Sequence, residues 1–456
     1  MRGRARAIGA ALVAACALAA ASGCHLLLDG EPGAGIGAPC DEDSDCQGGR
    51  CLDEVCAASC AAASDCPAPS VCTSAALCQL PLRVGFVHLG DPAVDQWTQA
   101  HETGRLEAQA ALPYLQAEAA SGKLLAADAA GAMDDLIARG FQVVVATSSS
   151  LRDVAAVKAA EHPDIKFLSC GAPAATDNNV AYHGRMYQAT YLAGYAAARR
   201  STTKRLGMIG SLVTPAVVRH INAFATGARR AAPDAIVEVR WIGYWHDASP
   251  PDAQGRTKER VLTEALLATG CDVIAHQADN GAPVATVAAL GGAKVIGNNV
   301  PDACPEGSPL CLGATYWRWG PLYTRLLDDL HRWRWPAGQT VNPGIEVSSA
   351  QSVVNFGLDV AVGTTDLAIE VSDLLEELAG EGGEALPFRG TLCSTGQRDP
   401  DRDGAPDCLG EGEAASEEEM LSMCWFADNL VEKEDPDDPA SADRPALVPE
   451  QGDCAP

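Results

Sequence analysis

Asp95 and Trp97 stand just after a break between an apolar strand pattern and a helical pattern. The strand pattern covers residues 84–89, the break is Gly90-Asp91-Pro92, and the helix restarts with Asp95 near its first turn. A strand that ends beside a helix N-terminus leaves backbone N–H groups and the positive end of the helix dipole facing a crevice. A ring and a carboxylate at such a rim suit a flat, hydrogen-bonding small molecule better than a phosphate. The alternative role of Asp95 is a simple helix cap.

The elements that must position these residues alternate between short apolar runs and helical patterns from residue 82 to about 390. This rhythm predicts βαβ units with parallel sheets. The length exceeds one comfortable core, so we expect two lobes with a ligand between them, at the carboxyl ends of both sheets. We place the first crossover at Lys204-Arg205 and the return to the first lobe after about Trp335, with one more crossing nearby. The predicted strands are 84–89, 143–147, 166–170, 206–212, 237–245, 273–277 and 295–297, and the predicted helices are 151–162, 187–200, 217–231, 258–268 and 283–290.

The N-terminus has the pattern of an export signal. Basic residues precede an apolar run from residue 8 to 20 that is too short for a stable membrane anchor. The sequence Ala21-Ser22-Gly23-Cys24 follows, which is typical of a bacterial lipobox; ordinary signal cleavage beside an incidental cysteine is the alternative. We therefore predict a signal peptide over 1–23, fatty acylation of Cys24, a lipidated tether over 24–39, and a location in the cell envelope.

The cysteines agree with an oxidising compartment. Eight of the 18 cysteines lie between Cys40 and Cys78, and small exported modules of this density are usually disulfide frameworks. A zinc site is the weaker interpretation, because neither a CxxC pair nor a histidine lies among them. In the rest of the chain we expect Cys304–Cys311, Cys393–Cys408 and Cys424–Cys454 as local disulfides, and Cys170 and Cys271 as buried thiols.

Charge and composition exclude some classes of function. The net charge of −27 argues against nucleic acid as a partner. Residues 391–456 read as an acidic, cysteine-containing extension, within which Asp399–Asp407 has the spacing of oxygen ligands in calcium loops. An acidic turn is the alternative for that loop, and we assign no metal or cofactor. Neither HExxH nor GxSxG occurs, so we do not expect an enzyme.

Eight motifs in order resemble the basic membrane protein (BMP) family of substrate-binding lipoproteins, which serve ABC importers and bind nucleosides or nucleobases. The resemblance implies an α/β, two-lobed type I periplasmic-binding-protein fold over 82–390, preceded by the disulfide-rich module at 40–79. The matching segments are 84–104, Val145-Ala-Thr-Ser148 with Asp153, 183–194, Arg219-His-Ile-Asn-Ala-Phe224, Tyr244-Trp-His-Asp247, Ala275-His-Gln-Ala-Asp279, Tyr316-Trp-Arg-Trp-Gly-Pro321 and 416–426.

The resemblance also implies which residues bind the ligand. Trp97 and Phe224 would stack on the two faces of a planar ring, and Thr147, Ser148 and Asp153 would bind its edge. Core packing is the alternative for the two rings, and a helix cap is the alternative for Asp153. The complete predicted set is Asp95, Trp97, Thr147, Ser148, Asp153, Asn222, Phe224, Trp245, Gln277, Asp279, Asn298, Asn299 and Trp317.

One departure from the family bears on the ligand. Nucleoside-binding members carry an acidic residue after the strand that corresponds to 295–297, whereas this chain has Asn298 and Asn299. An amide keeps an acceptor but gives up the charge that strengthens a hydrogen bond to a ribose hydroxyl. We therefore expect a purine base such as adenine in preference to a nucleoside. The expected partners are this ligand, ABC permease subunits and the membrane, with the protein itself a monomer; a surface sensor that uses the same fold without transport is the alternative.

Overall fold

The computed structural model describes residues 35–47, 49–246, 249–390, 392–394 and 408–433. The chain divides into two compact units, with the boundary between Pro81 and Leu82. The predicted signal peptide, Cys24, most of the tether, the Asp399–Asp407 loop and the end of the acidic tail lie outside the described residues. In the described part of the chain, no helix is both long enough and apolar enough to cross a membrane.

The N-terminal unit is a small antiparallel sheet held by four disulfides. Its strands are β1 (Arg50–Leu52), β2 (Val55–Ser59), β3 (Val71–Cys72) and β4 (Leu77–Gln79), in the order β1-β2-β4-β3. All eight cysteines of the module are paired, which confirms the disulfide framework and excludes the zinc interpretation. The pairs are Cys40–Cys51, Cys46–Cys56, Cys60–Cys72 and Cys66–Cys78.

The four bonds reveal an internal repeat. In each half of the module the first cysteine pairs with the third and the second with the fourth. Each half also contains one turn of 3₁₀ helix whose last aspartate accepts two backbone N–H groups: Asp45 from residues 41 and 42, and Asp65 from residues 61 and 62. The module is therefore two copies of one disulfide-linked unit.

The large unit alternates strands and helices as the sequence predicts. Its strands are β5 (Leu82–Val87), β6 (Leu115–Ala120), β7 (Val143–Ala146), β8 (Lys166–Cys170), β9 (Asn179–Tyr182), β10 (Arg205–Gly210), β11 (Ile236–Trp241), β12 (Val273–His276), β13 (Lys294–Gly297), β14 (Cys311–Trp317), β15 (Thr340–Val341), β16 (Val354–Leu358), β17 (Leu392–Cys393), β18 (Cys408–Leu409) and β19 (Leu430–Glu432). Its helices are α1 (Gln96–Ala111), α2 (Ala126–Ala138), α3 (Arg152–Glu161), α4 (Met186–Arg200), α5 (Pro215–Ala231), α6 (Lys258–Ala268), α7 (Ala282–Leu290), α8 (Trp319–His331), α9 (Val360–Gly363), α10 (Thr365–Ala379) and α11 (Glu417–Leu421).

Two separate sheets define two lobes. The sheet of lobe one has the order β15-β9-β8-β7-β5-β6 and is parallel throughout. The sheet of lobe two has the order β16-β14-β13-β12-β10-β11-β19, and only β16 runs antiparallel to its neighbour. Strands such as β7 and β12 are buried along their whole length, because helices cover both faces of a parallel sheet. The predicted two-lobed α/β architecture is confirmed.

The crossovers between lobes differ from the predicted ones. Helix α4 packs against α5 and β14 of lobe two, so the chain leaves lobe one after β9 and not at Lys204-Arg205. It returns at Arg318, since α8 packs against α1 of lobe one, and this return precedes Trp335. The last crossing lies between β15 and β16. The residues around 204 have the pattern of a turn, which is why the sequence predicts the crossover there. The lobe to which α4 belongs is instead decided by its packing against α5 and β14.

Close contact between α4 and α5 is the basis of that packing. Gly194 lies against the backbone of Phe224, and Gly227 lies against the backbone of Tyr191, so a Cβ at either glycine would overlap a carbonyl oxygen. The two helices thereby approach each other with backbone against backbone. Twelve residues of α4 are buried, which explains why its sequence lacks a clear polar face.

The C-terminal segment completes lobe two. Strand β19 pairs in parallel with β11, and Asn222 of α5 binds the backbone of residues 425 and 427. The packing of lobe two thus extends past the boundary predicted at residue 390. The expected disulfides Cys304–Cys311 and Cys393–Cys408 are present, Cys170 and Cys271 are buried thiols, and Cys424 is disulfide-bonded, while residue 454 lies outside the described residues.

Candidate ligand-binding site

The two lobes meet at the carboxyl ends of their sheets. Strand β5 leads through residues 88–95 into α1, whose first amide, Gln96 N–H, donates to the Asp279 carbonyl of lobe two over 2.8 Å. Trp245 of lobe two donates from Nε1 to Ser150 Oγ of lobe one over 3.3 Å. Because open α/β sheets bind ligands at this edge, the contact between the lobes marks the candidate site.

Aromatic rings from both lobes gather at this contact. Trp317 and Trp319 stack with centroids 4.8 Å apart and planes 8° apart, and His101 continues the stack 4.4 Å from Trp319. Trp97 meets the edge of this column, 5.3 Å from Trp317, and lies nearly parallel to His183 at 6.4 Å. Planar faces in stacked and edge-on arrangements can hold a planar guest.

Hydrogen bonds fix the orientation of two indoles of this group, the half-buried Trp97 and the buried Trp317. Trp97 Nε1–H donates to the Thr147 carbonyl over 2.8 Å, which ties α1 to the end of β7. Trp317 Nε1–H donates to Asn299 Oδ1 over 3.1 Å, and Asn299 Nδ2 in turn donates to Asp279 Oδ1 over 2.8 Å. Asn299 has φ +69°, a left-handed conformation that asparagine tolerates better than most residues. The site is therefore preorganised by the protein itself.

Two carboxylates from opposite lobes lie beside this chain of bonds. Asp95 and Asp279 are each only 7% exposed, and with His246 their ligand-type atoms all lie within 4.8 Å of one another. Burial raises the pKa of Asp95, although the Thr98 amide opposes this. Burial and the neighbouring Asp95 raise the pKa of Asp279 well above its usual value, against the hydrogen bond from Asn299. Burial at this contact thus disfavours negative charge on both carboxylates at once.

Three histidines stand around the rings in their neutral form; His101 and His220 are buried and His183 is half-buried. Desolvation, with the cationic Arg219 acting in the same direction, lowers the pKa of His183 to about 4. Burial also holds the pKa values of His101 and His220 well below their usual range, and the positive charge of Arg219 adds to the effect at His220. A neutral imidazole donates at one nitrogen and accepts at the other, so these rings suit an uncharged heterocycle.

Several buried polar atoms near this rim have no hydrogen-bond partner. A buried polar atom without a partner costs about 1–3 kcal/mol, so such atoms are rare unless a ligand or water serves them. They come from α1, from the ends of β10 and β12, and from the starts of α5 and α8. The atoms are Gln96 Oε1, His101 Nε2, Ser211 Oγ, His220 Nε2, Gln277 Oε1 and Trp319 Nε1.

Most of the predicted site residues lie in or beside this group. Thr147 is buried with Oγ1 3.0 Å from His88 Nδ1, and Ser148 caps the turn that carries Ser150. Asn298 is buried and accepts from Thr315 Oγ1 over 3.1 Å. The structure thus brings together the following predicted residues: Asp95, Trp97, Thr147, Ser148, Trp245, Gln277, Asp279, Asn298, Asn299 and Trp317.

Three predicted residues have other surroundings. Phe224 is fully buried in the core where α5 packs on α4, which is the packing role that the sequence left open. Asn222 uses both polar groups of its side chain to hold the C-terminal segment, which is a structural role. The Asp153 side chain is 83% exposed and lies near Arg152, so the structure does not show it reading a buried edge. A helix face that packs on a helix cannot be told from one that faces a cleft by residue type alone.

Sequence reasoning missed the histidines and Trp319. His101, His183 and His220 all lie inside motifs that carry the family resemblance, but each appeared as an isolated histidine with no metal or catalytic spacing. The feature that could have identified them is an aromatic residue close by in the same motif: Trp97 near His101, Tyr187 near His183 and Phe224 near His220. Trp319 is fully buried behind Trp317, where it supports the stack.

Four groups of His, Cys, Asp or Glu side chains lie close enough within the described ranges to offer ligands to a metal ion. Two sets of cysteines are engaged in disulfides, and the exposed set Asp134, Glu161 and His162 already has Lys158 paired to both carboxylates. In the interlobe set, one oxygen of each carboxylate is engaged by the protein: Asp95 by the Thr98 amide and Asp279 by Asn299. Asp95 and Asp279, which are buried close together and come from opposite lobes, form an interlobe carboxylate pair.

Comparison with known proteins agrees with this geometry. A family model described as ABC transporter substrate-binding protein, PnrA-like (Bmp), matches residues 84–368. The purine-binding protein of Brucella abortus (strain 2308) is 28% identical over 355 residues, covering 77% of this chain and 93% of that protein. A putative ABC transporter glucose-binding protein of Haloferax volcanii is 30% identical over 256 residues, covering 56% of this chain and 63% of that protein.

A solved structure shares the fold. An ABC transporter solute-binding protein from Conexibacter woesei superposes with a TM-score of 0.53 at 19% identity, over 65% of this chain and 96% of that one. The family match covers more than half of the chain and spans both lobes, and it confirms the resemblance that the motifs indicated. The chain belongs to the Bmp family of PnrA-like ABC transporter substrate-binding proteins.

Proposed function

We propose that this protein captures a purine base or a nucleoside between its two lobes and delivers it to the membrane subunits of an ABC importer. The observation that carries the proposal is the group of aromatic rings from both lobes, with buried polar atoms that lack a protein partner around it. Rings would bind the faces of the ligand, and the free donors and acceptors would bind its edge.

The chemistry of the rim favours an uncharged, planar ligand with donors and acceptors. His220 Nε2 and Gln277 Oε1 are buried without a hydrogen-bond partner in the protein, so a ligand that reaches them gains two bonds. The carboxyl groups of Asp95 and Asp279 can each accept a hydrogen bond from an N–H group of an amino-substituted ring. One relative is named as a purine-binding protein, which supports this choice. Another is named as a putative glucose-binding protein, so glucose is the competing ligand in the test.

A binding assay on the mature chain tests the proposal. We expect isothermal titration calorimetry to give saturable binding of adenine, guanine, adenosine or guanosine, and no binding of glucose. Trp97→Ala should weaken that binding at least tenfold, since it removes a ring face and the bond to Thr147. The matched control is Leu106→Ala on the same helix, because Leu106 is 52% exposed and away from the rings. Binding of glucose in place of all purines, or equal affinity of Trp97→Ala and the control, would refute the proposal.

Anchoring and location belong to the same proposal. We propose that Cys24 is acylated and that residues 24–39 tether an exported monomer to the cell envelope. The disulfides in both compact units support an oxidising compartment. Mass spectrometry of the membrane fraction should find acylated peptide from Cys24, and Cys24→Ser should release the protein into the soluble fraction. A native mass equal to one chain is expected by light scattering.

A sensor that binds the same ligand without transport is the second candidate. It is favoured by the N-terminal disulfide unit, which precedes the family match that begins at residue 84. Deletion of residues 40–79 separates the two uses. Ligand uptake by cells that depends on this protein should survive the deletion if it serves an importer, whereas an intact cellular response that needs the module without any uptake would favour the sensor.

A further inference from the structure

The interlobe carboxylate pair, Asp95 and Asp279, lies where the two lobes are in contact. Asp95 follows the end of β5 in lobe one, and Asp279 follows the end of β12 in lobe two. The two side chains are buried together at the point where Gln96 N–H donates to the Asp279 carbonyl. When the lobes separate, that bond breaks and both carboxylates return to solvent.

The protein offers this pair little compensation for its charge. Asp95 Oδ1 accepts from the Thr98 amide over 2.6 Å, and Asp279 Oδ1 accepts from Asn299 over 2.8 Å. Across the described ranges, no lysine or arginine forms an ion pair with either group. Two carboxylates that share a buried site cannot both remain ionised without a compensating charge.

Two histidines face Asp95, and both act to lower its pKa, but burial outweighs them. His246 Nδ1 lies 3.9 Å from Asp95 Oδ2, which is within the range of an ion pair and too long for a hydrogen bond. His88, the other histidine that faces Asp95, contacts Glu102 at 3.2 Å and Thr147 at 3.0 Å. Glu102 is also paired with Arg105, so this second carboxylate is already compensated on its own helix.

We propose that closure of the two lobes takes up one proton onto the interlobe carboxylate pair, so that Asp95 and Asp279 together carry a single negative charge at the lobe contact. The closed form is then favoured at low pH and is released as the pH rises. The inference concerns the closing of the protein and does not require the ligand proposed above, so either can fail without the other.

The sign follows from linkage. Separation of the lobes would leave both carboxyls solvated with ordinary pKa values, whereas burial at the lobe contact raises the pKa of both. A group that binds protons more tightly in one state favours that state at low pH. Between the open and closed pKa values, one shared proton lowers the ratio of closed to open form by up to about tenfold per pH unit.

Hydrogen exchange at the Gln96 amide measures the equilibrium between the closed and the open form, because this amide is bonded to the other lobe. Its N–H is bonded to Asp279 across the lobes, while the neighbouring Gln99 N–H is bonded to Asp95 within α1 and serves as an internal reference. We would measure both protection factors, corrected for intrinsic exchange, in the ligand-free mature chain from pH 6 to pH 9. The protection at Gln96 should fall by up to about tenfold per pH unit, and that at Gln99 should not.

Four variants make the test specific. Asp279→Asn should keep Gln96 protected and flatten its pH dependence. Asp95→Asn should do the same, and it replaces Asp279→Asn in the test if that variant folds poorly. The matched control, Asp302→Asn, removes an exposed carboxylate of lobe two and should keep the wild-type slope. His246→Gln should also keep the slope.

Two results would overturn the proposal. One is protection at Gln96 that does not change with pH in the wild type. The other is a slope that persists in both asparagine variants, or that disappears only in His246→Gln, because the histidine would then be the group that titrates.

Discussion

Asn222 distinguishes a structural role from a binding role at one position. The motif resemblance predicts a ligand contact, whereas the structure shows the side chain donating to the Trp425 carbonyl over 2.7 Å and accepting from the Ala427 amide over 3.0 Å. The residue is fully buried. Asn222→Ala therefore removes two hydrogen bonds and leaves two backbone groups unpaired.

The expected cost is large. Each lost bond with a buried, unsatisfied partner is worth about 1–3 kcal/mol, so we expect the free energy of unfolding to fall by about 2–5 kcal/mol. Urea unfolding followed by tryptophan fluorescence measures this. Ligand affinity of the remaining folded protein should stay within about threefold of the wild type, since neither bond reaches the rim.

Arg229→Ala is the matched control. Arg229 lies on the same helix and pairs with Asp428 of the same C-terminal segment, but at the surface. A surface ion pair contributes about 0–1 kcal/mol, so this variant should be nearly neutral. Equal stability of the two variants, or an Asn222→Ala protein that is stable yet unable to bind ligand, would contradict the structural role.

Other predictions follow from packing, disulfides and buried histidines. Gly194→Ala should destabilise the protein by more than about 2 kcal/mol in thermal unfolding, because its Cβ would overlap the α5 backbone, whereas Gly131→Ala on α2 meets open space and should stabilise by about 0.5–1 kcal/mol. Replacing Cys46 and Cys56 by serine should cost about 2–4 kcal/mol and expose the N-terminal module to limited proteolysis, while the large unit remains resistant. His183 is neutral in the fold with a pKa of about 4, so the free energy of unfolding should be highest above pH 6.5 and should fall by about 3 kcal/mol as the pH drops towards 4. In His183→Gln the free energy of unfolding, measured by urea titration, should depend less on pH over that range.

The sequence identifies seven of the buried strands, but it misses β9 and β14, which are also buried along all or most of their length. Each of the seven predicted strands lies within two or three residues of an observed one at its start, because a continuous apolar run bounded by turns has few other interpretations. Strand β6 escaped prediction since it is an edge strand rich in alanine and polar residues, with only Leu115 fully buried. Edge strands lack the apolar run by which buried strands are found.

The candidate site could be predicted where a residue stands at a strand end. Asp95, Gln277 and Asp279 follow strands whose carboxyl ends meet, so topology alone brings them together. Residues on helices were less predictable: Phe224 and His220 lie four residues apart on α5, yet the phenylalanine packs on α4 and the histidine lies 6.5 Å from Trp317. Only the crossing of the helices decides which of them reaches the rim.

The position of β19 has a consequence for how lobe two is assembled. This strand is among the last described parts of the chain, and it covers the edge of β11, which would otherwise present unpaired backbone groups. Until residue 430 is available, the nascent lobe carries an exposed template for pairing with another chain. Chains truncated before β19 should therefore aggregate more readily than chains that contain it.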